Sequence, residues 1–126
     1  MDIFTIAISG SRSCNNESID KIIDTLNKIN NYMMENNKII KIHVGDCKTG
    51  VDNIVYKWCK NNNILHQIFI ADWKSLGKYA GPVRNKEMII NVNFLFAFPS
   101  PQSKGTISAI NIAREKGVKM EIIEII

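Results

Sequence analysis

The sequence contains no apolar run approaching the roughly 20 residues that a membrane-crossing helix needs, and its start, MDIFTIAISGSR, sets an acid before a short apolar run with no basic region ahead of it. Neither a spanning segment nor a secretory leader is expected, and the chain is read as cytoplasmic, in a bacterium or a phage-infected host cell. Cysteine is scarce. Cys14, Cys47 and Cys59 are odd in number and show neither C-x-x-C spacing nor a histidine ligand pattern, which argues against a disulfide framework and a zinc site and predicts reduced thiols with no bound metal. The two histidines, His43 and His66, fall inside apolar runs and read as structural. The chain lacks the G-x-x-x-x-G-K-[ST] phosphate loop, a nucleophile elbow and any Ser/His or Cys/His triad pattern. Lys and Arg are scattered rather than clustered, so the net charge of +4 and the pI of about 9.0 suit an anionic small molecule better than an extended nucleic-acid surface. Internal repeats, low-complexity tracts and linkers are also missing.

What is present is an ordinary globular composition, 45% hydrophobic and 22% charged over 126 residues, enough for one domain spanning 1–126. The segment 3–8, IFTIAI, is a β-branched run that stops at Ser9-Gly10 and reads as a strand buried on both faces. Ile19, Ile22, Ile23, Leu26, Ile29 and Met33 then recur at helical spacing, with Asn16 or Ser18 as the expected N-cap. The unit repeats: IIKIHV at 39–44 precedes the stripe Val51, Ile54, Val55, Trp58 and Cys59. Residues 64–70 supply a third strand, followed by a helix from Tyr79 to Asn91 that admits Pro82 only in its first turn. VNFLFAF at 92–98 is halted by Pro99 and Pro101, Gly105 to Lys116 forms a helix closed by Gly117, and 118–124 forms the last strand. Five strands alternating with four helices predict an α/β fold, a three-layer Rossmann-like sandwich whose five-stranded parallel sheet is flanked by helices.

In such a sheet, ligands bind beyond the carboxyl ends of the strands. The segments there are GSRSCNNES, GDCKTGVD, ADWKSLGKYAGPVRN and PSPQSKGT, all rich in Gly, Ser, Thr, Asn, Lys or Arg, whereas the opposite loops near Asn36-Asn37, Asn61 to Asn63 and Lys116-Gly117 are plain polar turns. Gly10, Ser11 and Arg12 offer a tight turn, a hydroxyl and a bidentate guanidinium for a phosphate, or simply a turn with a solvated Arg. Ser103, Lys104, Gly105 and Thr106 open a helix and bring free amides, a cation and a hydroxyl to one point; the alternative is a well-capped helix. Asp46 and Asp52 could accept hydrogen bonds from ribose hydroxyls while Gly45 and Gly50 let the ligand approach the backbone, although Asp52 reads equally as a first-turn helix acid. In the third loop, Trp73 could stack on a base or pack over the sheet edge, and Arg84 could reach an anion; Asp72, Gly81, Pro82 and Asn85 complete the candidate binding set.

These four loops resemble the SLOG superfamily, the Rossmann-like group that includes the DNA-processing protein DprA and the LOG-type phosphoribohydrolases, and within it the small YspA/YpsA-related branch. The residues that carry the likeness are ISGSR at 8–12, HVGDCKTGVDNIVYKWC at 43–59, ADWKSLGKYAGPVRNKEM at 71–88 and SKGT at 103–106. The resemblance implies a nucleotide-derived ligand held by the GSR loop, the GD loop and the GT helix start. It does not imply catalysis, because the PGGxGTxxE signature of the LOG-type hydrolases is here altered to Pro101-Gln102-Ser103 with Ala109 at the Glu position, and no catalytic residue is assigned. Asp46, Asp52 or Glu87 are the carboxylates that could substitute.

The expected function is therefore binding of an ADP-ribose-like or cyclic nucleotide signal without turnover and without a cofactor, as in a phage or mobile-element sponge that sequesters a defence messenger. The end of the chain soon after its last strand points the same way, since no output domain would report a signal. The alternative is a nucleoside-monophosphate phosphoribohydrolase, an N-glycosidase. A homo-oligomer is expected, with Met33, Tyr56 and Met88 as a possible association face; membrane and nucleic-acid partners are not.

Overall fold

In the computed structural model, which describes residues 1–125, the alternation becomes five strands, β1 (Asp2–Gly10), β2 (Lys38–Gly45), β3 (Leu65–Phe69), β4 (Phe94–Phe98) and β5 (Lys119–Ile122). All neighbours pair in parallel, in the order β3-β2-β1-β4-β5. The chain builds outward from β1 to β3, then returns to the far side of β1 for β4 and β5. At that reversal the connections leaving β1 and β4 diverge and a crevice opens at the carboxyl end of the sheet.

The helices are α1 (Asn16–Glu35), α2 (Gly50–Asn61), a one-turn α3 (Trp73–Leu76), α4 (Ala80–Ile89) and α5 (Lys104–Lys116). Successive strand residues face opposite ways, so Ile6 and Ile8 enter one core with Ile42 and Val44, covered by Ile22 and Leu26 of α1 and Val51, Val55, Trp58 and Cys59 of α2. Ala7 and Leu95 enter the other with Met88 and Ile89 of α4 and Ala109 and Ala113 of α5. Full burial of each Ile or Leu contributes about 2 kcal/mol. The alanines bury less, and let α5 lie close to the sheet.

Several expectations are corrected at element ends, where local signals compete. Asn15 rather than Asn16 or Ser18 caps α1, its side chain accepting the Ser18 N–H at 2.8 Å; in a run of polar residues the cap falls to the last one with extended backbone, here ψ 174. The expected helix from Tyr79 to Asn91 is shorter and is preceded by α3 and a 3-10 turn over Gly77–Tyr79. Asp72 starts α3 by accepting the Ser75 N–H, and Gly77 at φ 54 ends it. Val92 lies outside β4, because Asn93 and Thr5 exchange bonds just before that strand begins. Gly117 closes α5 in the left-handed conformation, φ 70.

Met88 is 1% exposed and belongs to the core, so it forms no part of an association face. Met33 also packs on the core, and Tyr56 sits edge-on to His66 with ring centroids 5.8 Å apart. His43 is buried beside Phe69, with Nδ1 2.9 Å from the Met88 carbonyl oxygen, and burial lowers its pKa. No helix among the described residues is long and apolar enough to cross a membrane.

Candidate functional site

The crevice is a cavity of about 580 Å³ bordered by the segments that follow β1, β2 and β4 and by α4 and α5. Of the residues nominated from sequence, Gly10, Ser11, Arg12, Gly45, Asp46, Asp52, Trp73, Arg84, Asn85, Ser103, Lys104, Gly105 and Thr106 line it. Gly50, Asp72, Gly81 and Pro82 do not.

The first wall is locked to α2 by backbone. Ser11 donates its N–H to the Phe98 carbonyl at 3.0 Å and receives the Val51 N–H on its own carbonyl at 2.9 Å. The Thr49 hydroxyl donates to the Arg12 carbonyl at 2.7 Å. This approach explains two glycines. A Cβ on Gly10 would stand 2.4 Å from Val51 Cγ2, and one on Gly50, at φ +67, would stand 2.2 Å from the Ser11 carbonyl oxygen. Gly50 thus shapes the site from outside it, and the side chain it helps to place, Arg12, is exposed at the rim.

The second wall is acidic but wired to a cation. Arg84 Nη1 lies 2.9 Å from Asp46 Oδ1, and Arg84 Nε donates to Asn85 Oδ1 at 3.0 Å. Asn85, 3% exposed, in turn donates to the Gly105 carbonyl at 3.2 Å and so ties α4 to the start of α5. Asp52 receives the Cys47 N–H at 3.1 Å. Its burial pushes its pKa up to about 6, against the opposing pull of that amide and of Arg84 and Arg12, with Asp46 adding to the rise. A Cβ on Gly45 would stand 2.6 Å from Arg84 Nη1 and 2.7 Å from Asp52 Oδ2, so a larger residue there would displace the ends of those two side chains.

The third wall is the start of α5. Its first turn holds no acid, and Ser103, at the N-cap, makes no side-chain capping bond. Its hydroxyl instead accepts the Ser100 N–H at 2.8 Å. The N–H groups of a first helical turn have no partner inside the helix, and Lys104 sits at the positive end of the helix dipole, an arrangement that an anion would relieve. Arg12 and Lys104 make no ion pair among the described residues.

Trp73 is 50% exposed at the cleft, its ring edge 3.3 Å from where a Gly81 Cβ would stand. Gly81 is therefore the seat of the indole, Asp72 is the α3 cap, and Pro82 is an exposed first-turn residue of α4. Glu87 is exposed on α4 and does not border the cleft, which removes it as a substitute carboxylate. Ser9, Ser13, Cys47, Met88, Ser100 and Gln102 line the cleft without having been singled out. Ser100 and Gln102 stood in a flagged loop and could have been found there; Met88 reads as an ordinary core position.

The chain is 30% identical over 86 residues to Gene 61 protein of Mycobacterium phage D29, an alignment covering 64% of this chain and 67% of that protein. It belongs to the family of that phage protein. No family model matches the sequence. The fold is that of DNA processing protein A, DprA, from Streptococcus pneumoniae, with a TM-score of 0.76 at 14% identity over 95% of this chain. The chain spans about half of DprA, 50% of its length. The Gene 61 relative thus gives kinship and DprA gives the Rossmann-like architecture expected from the SLOG resemblance.

Proposed function

We propose that this Gene 61 relative binds a nucleotide-derived small molecule in the crevice, holding its phosphate between the β1 loop and the start of α5 and its ribose hydroxyls against Asp46 and Asp52, and that it retains the ligand unchanged. The observation that carries the reading is the division of the cleft: unpaired Arg12 and Lys104 with a first helical turn free of acids on one side, and carboxylates partly neutralised by Arg84 on the other. Such a site suits a ligand with an anionic end and a hydroxyl-bearing body. A run of phosphates, as in a nucleic acid, would meet Asp46 and Asp52 unfavourably. Trp73 is a stacking surface for the base at the rim.

Retention without turnover is supported at Ala109. It is 0% exposed and packs in the core of the α4 and α5 face, so the position that bears the hydrolase Glu in the LOG-type signature here carries a methyl group in an alanine-tight layer. Kinship with a phage protein suits a sponge that withdraws a defence messenger. The finer relationship to the YspA/YpsA-like branch and a single ligand-binding domain over 1–126 belong to the same proposal, as does self-association of the chain.

A second reading, nucleoside-monophosphate N-glycosidase, is favoured by one feature: the Asp52 carboxyl, raised to about 6 inside the cleft, is suited to general acid–base work. One experiment separates the two. The protein is incubated with AMP, NAD, ADP-ribose, its cyclic isomers and cyclic oligonucleotides, thermal shift is recorded, and each mixture is analysed by chromatography after denaturation. Stabilisation with the ligand recovered intact is the expected result; release of free base above the buffer rate would establish the hydrolase, and no stabilisation by any member would overturn the binding proposal.

A further inference from the structure

Ser11, Ser100 and Ser103 come from two loops on either side of the strand-order reversal, and their hydroxyls form one chain. Ser100 Oγ donates to Ser11 Oγ at 2.9 Å. Ser100 and Ser103 Oγ atoms are also 2.9 Å apart. A serine has a single hydroxyl proton and two acceptor lone pairs. Because the Ser100 proton is committed to Ser11, the proton between Ser100 and Ser103 must come from Ser103, whose oxygen meanwhile accepts the Ser100 N–H at 2.8 Å. The chain therefore runs one way, from Ser103 to Ser100 to Ser11.

At its end, Ser11 Oγ accepts from Ser100 and also from the Ser13 N–H at 3.2 Å. Both of its acceptor positions are filled. Its own proton has no acceptor among the described residues, although Ser11 is 5% exposed and lines the cleft. A donor left without a protein acceptor is available to a ligand in the cleft, and the polarisation of successive hydroxyls strengthens the last donor in the chain.

We infer that the Ser103–Ser100–Ser11 chain is a donor relay which fixes the Ser11 proton toward a phosphoryl oxygen of the ligand, making Ser100 a positioning residue and the seat selective for a group that only accepts hydrogen bonds. A ligand hydroxyl placed there can accept the Ser11 proton, but its own proton finds the Ser11 lone pairs occupied. The relay rests on the proposed reading of the cleft as a phosphate-holding site.

The test is a titration of isotope-labelled protein with inorganic phosphate, following the amide resonances of Ser11, Gly105 and Thr106, beside a parallel titration with ADP-ribose. Saturable shifts at these amides are expected, with affinity about three- to tenfold lower in Ser100→Ala, corresponding to one lost hydrogen bond, and retained in Ser100→Thr. In a Ser11→Ala background, Ser100→Ala should cost nothing further, because the relay acts only through Ser11. Should Ser100→Ala fail to fold, Ser103→Ala removes the head of the same chain and its coupling to Ser11→Ala is read instead. Additive losses, or undiminished affinity in Ser100→Ala, would overturn the relay. Phosphate that leaves the three amides unmoved while ADP-ribose binds the cleft would overturn the serine seat alone; binding by neither probe, with no member of the wider nucleotide panel stabilising the protein, would overturn the underlying reading and the relay with it.

Discussion

The two ends of the sheet differ less in shape than in what is buried at them. The amino end has a depression of about 680 Å³, larger than the 580 Å³ cleft at the carboxyl end. It is bordered by Phe4, Val92, Phe94 and Val118, with Asn93 already paired to Thr5 and Lys116 and Lys119 at its rim. The carboxyl end instead buries Ser9, Ser11, Asn85, Ser103 and Thr106 around the cleft, beside the partly buried Asp52. A fold buries polar groups only at a cost unless something satisfies them. Volume thus fails to distinguish the two ends, and so do unpaired cations, since Lys116 and Lys119 make no ion pair among the described residues either; buried polar groups do distinguish them.

Matched glycine substitutions break the comparison most sharply. Gly50 and Gly117 both adopt left-handed backbone, φ +67 and +70, but Gly50 faces the Ser11 and Arg12 backbone while Gly117 faces open space. Gly50→Ala should destabilise by about 3 kcal/mol or more, combining left-handed strain with a backbone clash. Gly117→Ala should cost only about 1 kcal/mol, the left-handed penalty alone. Urea denaturation of both variants checks this, and equal losses would contradict the close seating of the β1 loop on α2.

Asp52 gives the next largest effect. Its folded pKa of about 6 stands above the ordinary aspartate value of 3.8, so the folded state holds its proton more tightly than the unfolded state does. This contribution to stability is fully present below about pH 4 and is lost as pH rises through about 6. The rise from 3.8 to about 6 corresponds to about 3 kcal/mol. Asp52→Asn should therefore be more stable than the parent above pH 6, by up to that amount, with the difference shrinking toward pH 4. Denaturation midpoints measured across this range test it, and a difference that does not change with pH would refute the buried carboxyl.

Ligand affinity provides a further contrast. Arg12→Ala and Lys104→Ala should each weaken binding of the phosphorylated ligand by about 1.5 to 3 kcal/mol, the worth of a charge-assisted contact, and leave the melting temperature of the free protein nearly unchanged. At the amino end, Lys116→Ala should leave affinity as it was. Calorimetry on the three variants is decisive, since equal affinity at Arg12 and Lys104 would remove the phosphate from that wall. The smallest effect is expected at Trp73→Ala, a loss of about 1 kcal/mol if the base stacks there, seen for a nucleotide and absent for inorganic phosphate.

The sequence alone determined the layers and the sheet. Runs such as IFTIAI and the stripe from Ile19 to Met33 are local records of which face is buried, and period decides strand or helix. It also placed the loops that gather at one end, because Gly, Ser and Asp at strand ends are read in place. Element ends were less legible: Asn15, Asn16 and Ser18 are chemically interchangeable caps until the path out of β1 selects one. Only the tertiary structure decided partnerships across the chain. That Asp46 neutralises Arg84, that Ser100 reaches Ser11 and that Gly50 lies outside the cleft while supporting it all depend on residues 37 to 89 positions apart being brought together. Such contacts leave no periodic trace in the sequence, since each depends on the strand order β3-β2-β1-β4-β5 and on backbone approach measured in tenths of an ångström.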